Sequence, residues 1–303
     1  MYPAMKALLS VLLLLVACQE NPSPLSSTAS TKAGVAPVTT GAEPVEQAPP
    51  LPAGDTNARL ARLEKRMDKI IGILEQALPP NEPDPEATYS VSISGADPVE
   101  GPADARITII EGFEFLCPYC FLVNPTVEQV LAKYPNDVRL VSKYLIIHGA
   151  PAVMPGMAAC ASAKQGKYKE MKAALWSHLF KMEDNRPKMQ QDQVSPDAID
   201  KMATEAGLDL AKLKVDMVSP ECQGWLQTSQ DALHPLGANA TPAFFVNGRY
   251  ISGAQPFDSF DKLIQEELAK ADKKIADGVA KTDLYEKEVV AKGLKKVKGR
   301  FDD

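Results

Sequence analysis

The sequence has little of what nucleic-acid binding and metal coordination require. It contains only three histidines and five cysteines, and aromatic residues make up 6% of its 303 residues. The net charge is −6 at pH 7, and no basic stretch with interleaved aromatic residues is present. Both features argue against a nucleic-acid partner, because clustered positive charge is what binds the phosphate backbone. The 45% of hydrophobic residues is still enough for one sizeable globular domain with extensions.

Long apolar runs are also scarce, and the only one that concerns membranes lies at residues 1–18. Lys6 precedes an apolar core that is too short to span a bilayer comfortably and is typical of a secretory signal. The residues 15–18, Leu-Val-Ala-Cys, resemble the lipobox of bacterial lipoproteins, in which the cysteine becomes the lipidated first residue. The sequence therefore predicts cleavage before Cys18 and lipid attachment to it. The alternative is an ordinary signal peptide with an incidental cysteine, and Met5 is a second candidate for the initiator.

Residues 19–56 are rich in proline, serine, threonine, alanine and glycine, and almost lack large apolar side chains. Such a segment has nothing to bury that would offset the entropy lost on folding. It is predicted to be a disordered tether, and as a flexible coil of about 38 residues it would span roughly 35 Å.

An abrupt change follows at residues 57–78. Apolar residues recur there with the spacing of a coiled-coil seam: Leu60, Leu63, Met67, Ile70, Leu74 and Ala77. Further apolar residues beside the seam favour three or more helices over two. A helix of three heptads is marginal alone in water, so this segment is predicted to self-associate. The alternative is that it packs back on its own domain. Residues 79–88, rich in proline and acidic residues, are interpreted as a hinge.

Two closely spaced cysteines lie in the stretch Phe-Glu-Phe-Leu-Cys-Pro-Tyr-Cys at 113–120. A strand pattern leads into this stretch and a helical pattern leads out, so Cys117 is predicted at a helix N-terminus. Unpaired backbone N–H groups and the helix dipole favour a thiolate there. Pro118 suits the first helical position, and Cys120 falls one turn further on, where it can attack a mixed disulfide formed at Cys117. The pattern predicts a redox-active pair.

The alternative interpretation of a Cys-x-x-Cys pair is half of a zinc site. Zinc would need two more ligands at short spacing. The remaining candidates form no second pair of that kind: Cys160, Cys222, His148, His178 and His234. We therefore expect no metal and no other cofactor.

A second motif, Ala-Thr-Pro-Ala-Phe-Phe-Val-Asn-Gly, lies far downstream at residues 240–248. Together with the Cys-Pro-Tyr-Cys pair, it resembles the DsbA-like thiol–disulfide oxidoreductases of the thioredoxin superfamily over roughly residues 89–274. In that family a Thr-Pro or Val-Pro with a cis peptide bond faces the cysteine pair. The resemblance therefore implies that Thr241 and Pro242 line the groove that receives the substrate backbone. The Asn-Gly pair independently predicts a tight hairpin turn.

The resemblance implies an α/β thioredoxin fold with an inserted helical subdomain, preceded by the short coiled-coil helix. We place the domain at residues 89–277, the helical insertion at about 152–234, and a tail of unassigned role at 278–303. Residues 89–94 have the alternation of a strand, and residues 106–115 have the pattern of the central strand.

On that central strand, Glu111 lies six residues before Cys117, where thioredoxin-like proteins keep a buried acid near the resolving thiol. A buried carboxylate is costly unless it has a task, such as accepting the proton of Cys120. The alternative is a partly exposed, structural glutamate. Lys143, in a Lys-Tyr pair that matches DsbA-like proteins, is a candidate partner for Glu111.

Four cysteines remain once the predicted lipidated Cys18 is set aside, and four is an even number in an export pathway where disulfides persist. Cys160 and Cys222 fall in two helical stretches of the predicted insertion. They are either a structural disulfide or two inert buried thiols, and we favour the disulfide.

These features predict a lipid-anchored thiol–disulfide oxidoreductase of the cell envelope, at the periplasmic face of the outer membrane. Its expected partners are unfolded or wrongly disulfide-bonded exported proteins and a membrane redox protein. The predicted homo-oligomer favours an isomerase or reductase, because dimeric isomerases and some trimeric relatives carry an oligomerising segment before such a domain. Two alternatives stay open: a monomeric dithiol oxidase, and a tethered holdase whose redox pair is secondary.

Overall fold

The computed structural model describes residues 56–77 and 82–298. The predicted signal peptide with Cys18 and the predicted tether up to residue 55 lie outside the described residues. The first described element, α1, spans Thr56–Ala77, where the heptad pattern predicts a helix. Four of its seam side chains, Leu60, Leu63, Met67 and Ile70, are each more than half exposed. In the described structure, therefore, this stripe does not pack back on the domain.

Residues 82–298 contain both strands and helices. The strands are β1 Val99–Glu100, β2 Ile107–Phe113, β3 Val138–Tyr144, β4 Phe180–Glu183, β5 Arg186–Met189, β6 Ala243–Val246 and β7 Arg249–Ser252. The helices are α2 Pro118–Lys133, α3 Val153–Ala163, α4 Tyr168–Leu179, α5 Pro196–Glu205, α6 Leu210–Met217, α7 Pro220–Leu233 and α8 Phe257–Ala276.

Five strands form one mixed sheet in the order β1-β3-β2-β6-β7. All seven residues of β2 are buried, including Thr108 and Glu111, as expected for a strand at the centre of a sheet that is covered on both faces. Strands β2 and β3 are parallel and joined through α2, whereas β6 and β7 form an antiparallel hairpin beside β2. The turn of that hairpin is Asn247-Gly248, with φ values of 44° and 84°. A two-residue turn of type I′ needs positive φ at both positions, which asparagine and glycine adopt most readily.

Helices cover both faces of the sheet, so the side chains of β2 contact different helices on its two faces. One face, which includes Ile107 and Ile109, packs on α2 and α8. The opposite face, which includes Ile110, packs on the end of α7 and on the C-terminal segment. At Gly112 a Cβ atom would lie 2.8 Å from the Leu233 side chain, so only glycine lets α7 approach this closely. Because successive side chains on a strand point to opposite faces, the side chain of Glu111 faces away from α7.

The expected helical insertion is present as α3–α7, but it also contains a hairpin that the sequence analysis did not predict. Strands β4 and β5 pair antiparallel around Asp184 and Asn185, which have φ values of 48° and 59°. Both residue types tolerate this left-handed conformation. The base of the hairpin contacts α2, because the ring of Phe180 stacks on that of Phe121 at 5.0 Å between centroids.

The structure corrects the C-terminal boundary of the domain, which the sequence analysis placed at residue 277. Tyr285 and Val289 are buried in the core beneath the sheet. The Tyr285 hydroxyl donates to the carbonyl oxygen of Val91 at 2.7 Å, and the Leu294 amide donates to that of Thr88 at 2.9 Å. The described part of the predicted tail therefore belongs to the domain, because its apolar side chains complete one face.

The predicted hinge at 79–88 and the predicted strand at 89–94 also need correction. The backbone N–H of Asp84 donates to the Tyr89 hydroxyl at 2.8 Å, and the Arg249 guanidinium contacts Glu86 at 3.1 Å. The chain is therefore held against the domain from about residue 84 onward. Residues 89–94 form no regular strand, and Tyr89 makes only a single bridge to Leu294.

Cys160 on α3 and Cys222 on α7 form a disulfide that ties two helices of the insertion together across 62 residues of sequence. Closing a loop of this length stabilises a protein by roughly 4 kcal/mol in the chain-entropy account. Both cysteines are buried, with 5% and 0% of their surface exposed, so reductants have little access to the sulfurs.

We therefore expect the Cys160–Cys222 bond to survive mild reductants that open a Cys117–Cys120 disulfide. Graded reduction followed by alkylation and mass mapping measures the order in which the two bonds open. Opening of both bonds at one reductant concentration, or recovery of Cys160 and Cys222 as free thiols from cells, would contradict a structural role.

Candidate active site

The cysteine pair lies where the central strand ends and the first domain helix begins. Cys117 is the N-cap residue of α2, with extended φ and ψ of −84° and 117°, and Pro118 is the first helical residue. The backbone N–H of Cys117 donates to the carbonyl oxygen of Glu114 at 3.3 Å. Cys120 lies one turn into the helix and is fully buried, while only 2% of Cys117 is exposed. Both are free thiols in the described structure.

The loop before β6 brings Thr241 and Pro242 against this pair. Ala243 at the start of β6 pairs with Gly112 near the end of β2, so the residues before Ala243 reach the edge where the cysteines begin. The Thr241–Pro242 peptide bond is cis, and the Cys117 thiol donates to the Thr241 carbonyl oxygen at 3.2 Å. Two motifs more than 120 residues apart thus share one site.

The two thiols differ strongly in acidity. The pKa of Cys117 is lowered to about 6, chiefly by the hydrogen bond from the Cys120 thiol. Hydrogen bonds with Thr241 and with the first amides of α2 lower it further, whereas burial opposes the shift. Burial raises the pKa of Cys120 well above its usual value, and the hydrogen bond to Cys117 adds to the rise. Near neutral pH the pair therefore holds one reactive thiolate at the opening of the site and one protonated thiol beneath it.

Glu111 lies on β2 beneath the cysteines and is almost completely buried. Burial raises its pKa, while the nearby ammonium of Lys172 opposes the rise. Its charge also raises the pKa of Cys120, which places the carboxylate within electrostatic reach of that thiol. A buried carboxyl group of raised pKa is suited to accept a proton from a neighbouring thiol.

The proposed partnership of Glu111 with Lys143 is wrong. Strand register pairs Glu111 with Ser142 and Gly112 with Lys143, so the side chain of Lys143 lies on the opposite face of the sheet. There its ammonium binds the Asp97 carboxylate at 2.7 Å. The cation near Glu111 is instead Lys172 of α4, at 4.0 Å. No local pattern predicts this contact, because α4 reaches the strand only through tertiary packing.

Glu114 is a second buried acid near the site that the sequence analysis did not single out. Its carboxylate accepts hydrogen bonds from the amides of Ile147 at 3.1 Å and His148 at 3.0 Å, and it also contacts the imidazole ring of His148. These contacts hold the loop after β3 beside the start of α2. A charged residue inside an apolar run, three positions before Cys117, was the available signal.

The described residues contain no group of three or more histidine, cysteine or carboxylate side chains placed to hold a metal ion. Among the helices of the described ranges, none combines the length and apolar character needed to cross a membrane.

Comparison with known proteins agrees with this geometry. A family model described as thioredoxin matches residues 94–266, more than half of the chain. The Na(+)/H(+) antiporter NhaA 3 of Salinispora tropica is 30% identical over 177 residues, which cover 58% of this chain and 25% of the antiporter. Disulfide bond formation protein D of Bacillus subtilis is 24% identical over 181 residues, which cover 58% of this chain and 79% of that protein. The chain spans about a quarter of the length of the antiporter relatives that it matches.

Among solved structures, oxidised BdbD from Bacillus subtilis superposes with a TM-score of 0.53 at 20% identity, covering 62% of this chain and 100% of that one. This likeness shows a shared fold. The sheet order, the cis bond opposite the cysteines and the matched residues lead to one assignment: the chain belongs to the thioredoxin family.

Proposed function

We propose that the protein exchanges disulfides with exported proteins through Cys117 and Cys120. The observation that carries the proposal is the placement of the two thiols at one helix N-terminus, with the Cys117 sulfur 3.2 Å from the Thr241 carbonyl oxygen and Cys120 buried one turn further on. Hydrogen bonding in this arrangement lowers the pKa of Cys117 to about 6. The thiolate of Cys117 attacks a client disulfide, forms a bond to one client sulfur and releases the other as a thiolate. Cys120 then attacks the Cys117 sulfur, and a second client thiolate leaves. In this direction the client is reduced and the cysteine pair is oxidised. When the same steps run in the opposite direction, the client is oxidised and the pair is reduced.

The surroundings of Cys117 suit a polypeptide client. Thr241 and Pro242 form the wall opposite the sulfur, where an extended client backbone can lie. Exposed apolar side chains flank the site, including Tyr119, which is 61% exposed, and Leu122 on the first turns of α2. An unfolded protein offers apolar side chains that such a surface can cover.

The N-terminal segment sets the proposed location. A signal with a lipobox at residues 15–18 supports export and lipid attachment at Cys18. The tether that follows would hold the catalytic domain clear of the membrane surface, at the periplasmic face of the outer membrane. A membrane redox protein would then restore the working state of the pair.

Helix α1 supports the proposed self-association and with it the isomerase or reductase direction. Its seam residues are exposed along one stripe, with Leu63 at 58% and Met67 at 54%. Apolar stripes of this kind are covered by another surface in water, and the heptad spacing fits further copies of the same helix. Clustered domains would present several Cys117 sites to one misfolded client. A monomeric oxidase and a redox-independent holdase are the competing functions.

Trapping a client on Cys117 tests the proposed exchange. A Cys120→Ser variant should accumulate mixed disulfides with exported proteins through Cys117, because the attack that releases the client is lost. The matched Cys117→Ser variant keeps Cys120 buried and should trap none. Non-reducing gels followed by mass spectrometry identify the adducts. Equal trapping by both variants would overturn the assignment of Cys117 as the nucleophile. If the Cys117→Ser variant still protects client proteins against aggregation, that result would favour the holdase.

A further inference from the structure

The hairpin of strands β4 and β5 has one apolar face and one charged face. Side chains that are paired across two strands, or that lie two positions apart on one strand, share a face. The strand register therefore places four apolar residues together, and they are named here the apolar face of the hairpin: Phe180, Met182, Pro187 and Met189. The opposite face carries the two remaining pairs, Lys181 with Lys188 and Glu183 with Arg186.

The base of the apolar face is covered, whereas its outer half is more exposed. Phe180 is buried, and Met189 packs against the core cluster that contains both cysteines of the site. Further out, Pro187 is half-buried and Met182 is 51% exposed. An apolar face that is covered at one end only offers its other end to another molecule.

The covered base is packed close to the nucleophile. Phe121 of α2, on which Phe180 stacks, lies one helical turn after Cys117, and its backbone N–H donates to the Cys117 carbonyl oxygen at 3.2 Å. The ring of Trp176 on α4 lies 6.3 Å from those of both Phe121 and Phe180, measured between centroids. These contacts join α2, α4 and the hairpin, so the exposed end of the apolar face is held at a set position relative to Cys117.

The apolar surface continues from the hairpin onto the first turns of α2. Leu122 directly follows Phe121 and is exposed, as is Tyr119 beside Cys117. The path from Cys117 to Met182 runs along one helical turn, across one pair of stacked rings and along two strand residues, which is roughly 20 Å. A polypeptide in extended conformation spans that distance with about six residues.

We propose that the apolar face of the hairpin, with Met182 at its exposed end, is a docking surface for an apolar side chain of the client, within about six residues of the client cysteine. This proposal rests on the proposed function and names a feature of its substrates. The continuity of the surface with Cys117 favours a client over a second copy of the chain. The hairpin thereby distinguishes polypeptide clients from small thiols such as glutathione, which lack an apolar side chain.

A contact at this surface should act on the association of the client and not on the chemistry of the thiols. The groups that lower the pKa of Cys117 are the Cys120 thiol, Thr241 and the first amides of α2, and they lie outside the hairpin. A change at Met182 should therefore leave the reaction with a small disulfide as it is. This separation makes the proposal testable without a change in the reactivity of the nucleophile.

The test uses synthetic peptides whose single cysteine forms a mixed disulfide with thionitrobenzoate. The Cys117 thiolate of the reduced protein attacks the peptide sulfur and releases the coloured thionitrobenzoate. Cys120 then attacks the Cys117 sulfur, the peptide leaves as a thiolate, and the pair ends oxidised. Each peptide carries one leucine in a polar background, at successive positions within the proposed span on either side of the cysteine, and the reference peptide carries serine instead. The second-order rate constant of colour release is measured.

In the unmodified protein, leucine at the matching positions should raise this rate constant roughly fivefold over serine, as expected when about half of a leucine side chain is covered. Met182→Gln should reduce the advantage to about twofold or less, because an amide replaces an apolar side chain of similar length. The mixed disulfide of glutathione with thionitrobenzoate should react equally fast with both proteins. A leucine advantage that is the same in Met182→Gln would overturn the docking surface.

Lys181→Gln is the matched control, because Lys181 neighbours Met182 on the same strand but lies on the charged face. It should keep the full leucine advantage. A shortened hairpin that lacks residues 182, 183, 186 and 187 retains the Lys181–Lys188 pair and the turn at Asp184-Asn185, and it should lose the advantage completely. Equal loss in Lys181→Gln and Met182→Gln would overturn the assignment of the apolar face.

Light scattering tests the competing occupant, a second copy of the chain. Met182→Gln should have the same mass as the unmodified protein, and a lower mass would assign the apolar face to contact between copies and overturn client docking. The glutathione reagent separates the two proposals. Failure of the unmodified protein to release colour from it would overturn the proposed function, whereas normal release without any leucine advantage in the peptides would overturn the docking surface alone.

Discussion

Replacing Cys117 with serine should reduce disulfide exchange to the uncatalysed background. The serine hydroxyl can still donate to the Thr241 carbonyl oxygen, which the Cys117 thiol reaches at 3.2 Å, so the site should keep its shape. A hydroxyl is almost entirely protonated near neutral pH and is a far weaker nucleophile than a thiolate. The measurement is turnover of a small disulfide substrate by the folded variant.

Cys120→Ser is the informative control for that result. It keeps the nucleophile but lacks the resolving thiol, so it should release one equivalent of substrate thiolate and then stop. Repeated turnover by Cys117→Ser, or no initial release by Cys120→Ser, would reverse the roles given to the two cysteines.

Deleting residues 57–78 should give a monomer that still oxidises dithiols but no longer repairs scrambled disulfides. The deletion removes the exposed seam of α1, which we propose is buried between copies of the chain. Without neighbouring subunits, a membrane oxidant could dock over Cys117, whereas several sites would no longer surround one client. Light scattering measures the mass, and refolding of a scrambled test protein measures the repair.

Single substitutions sharpen this test. Leu63→Asp and Ile70→Asp should each mimic the deletion, because an unpaired charge buried in a helical seam costs several kcal/mol. Gly72→Asp adds the same charge two positions after Ile70, where an added side chain would meet no atom within 4 Å, and should leave the oligomer intact. A full-length protein that is monomeric, or a truncated one that repairs disulfides equally well, would favour the simple oxidase.

Several features of the fold and site could be predicted because each depends on local chemistry. A helix beginning at Cys117 follows from the strand pattern before it and from Pro118 at the first helical position. The turn at Asn247-Gly248 follows from the positive φ that both residues tolerate. The central strand follows from a largely apolar segment, and all seven of its residues are buried.

Other features depend on contacts between distant segments, and the sequence pattern does not show them. The Lys-Tyr pair that matches DsbA-like proteins made Lys143 a candidate partner for Glu111, yet the register places these side chains on opposite faces of the sheet. Lys172 lies on a helix whose packing decides the contact. The domain was likewise ended too early, because Tyr285 and Val289 lie in a short π-helical turn without the spacing of a longer helix.

The acidity of Cys117 tests the central claim most directly. Titrating the ultraviolet absorbance of the thiolate in the reduced protein, with Cys117→Ser as the blank, should give a midpoint at a pH of about 6. Because only the thiolate attacks, the rate of the first exchange should rise through the same pH and level off above it. A midpoint near the value of about 8.5 for a free thiol, with a rate that keeps rising beyond neutral pH, would contradict the assignment of Cys117 as the activated nucleophile.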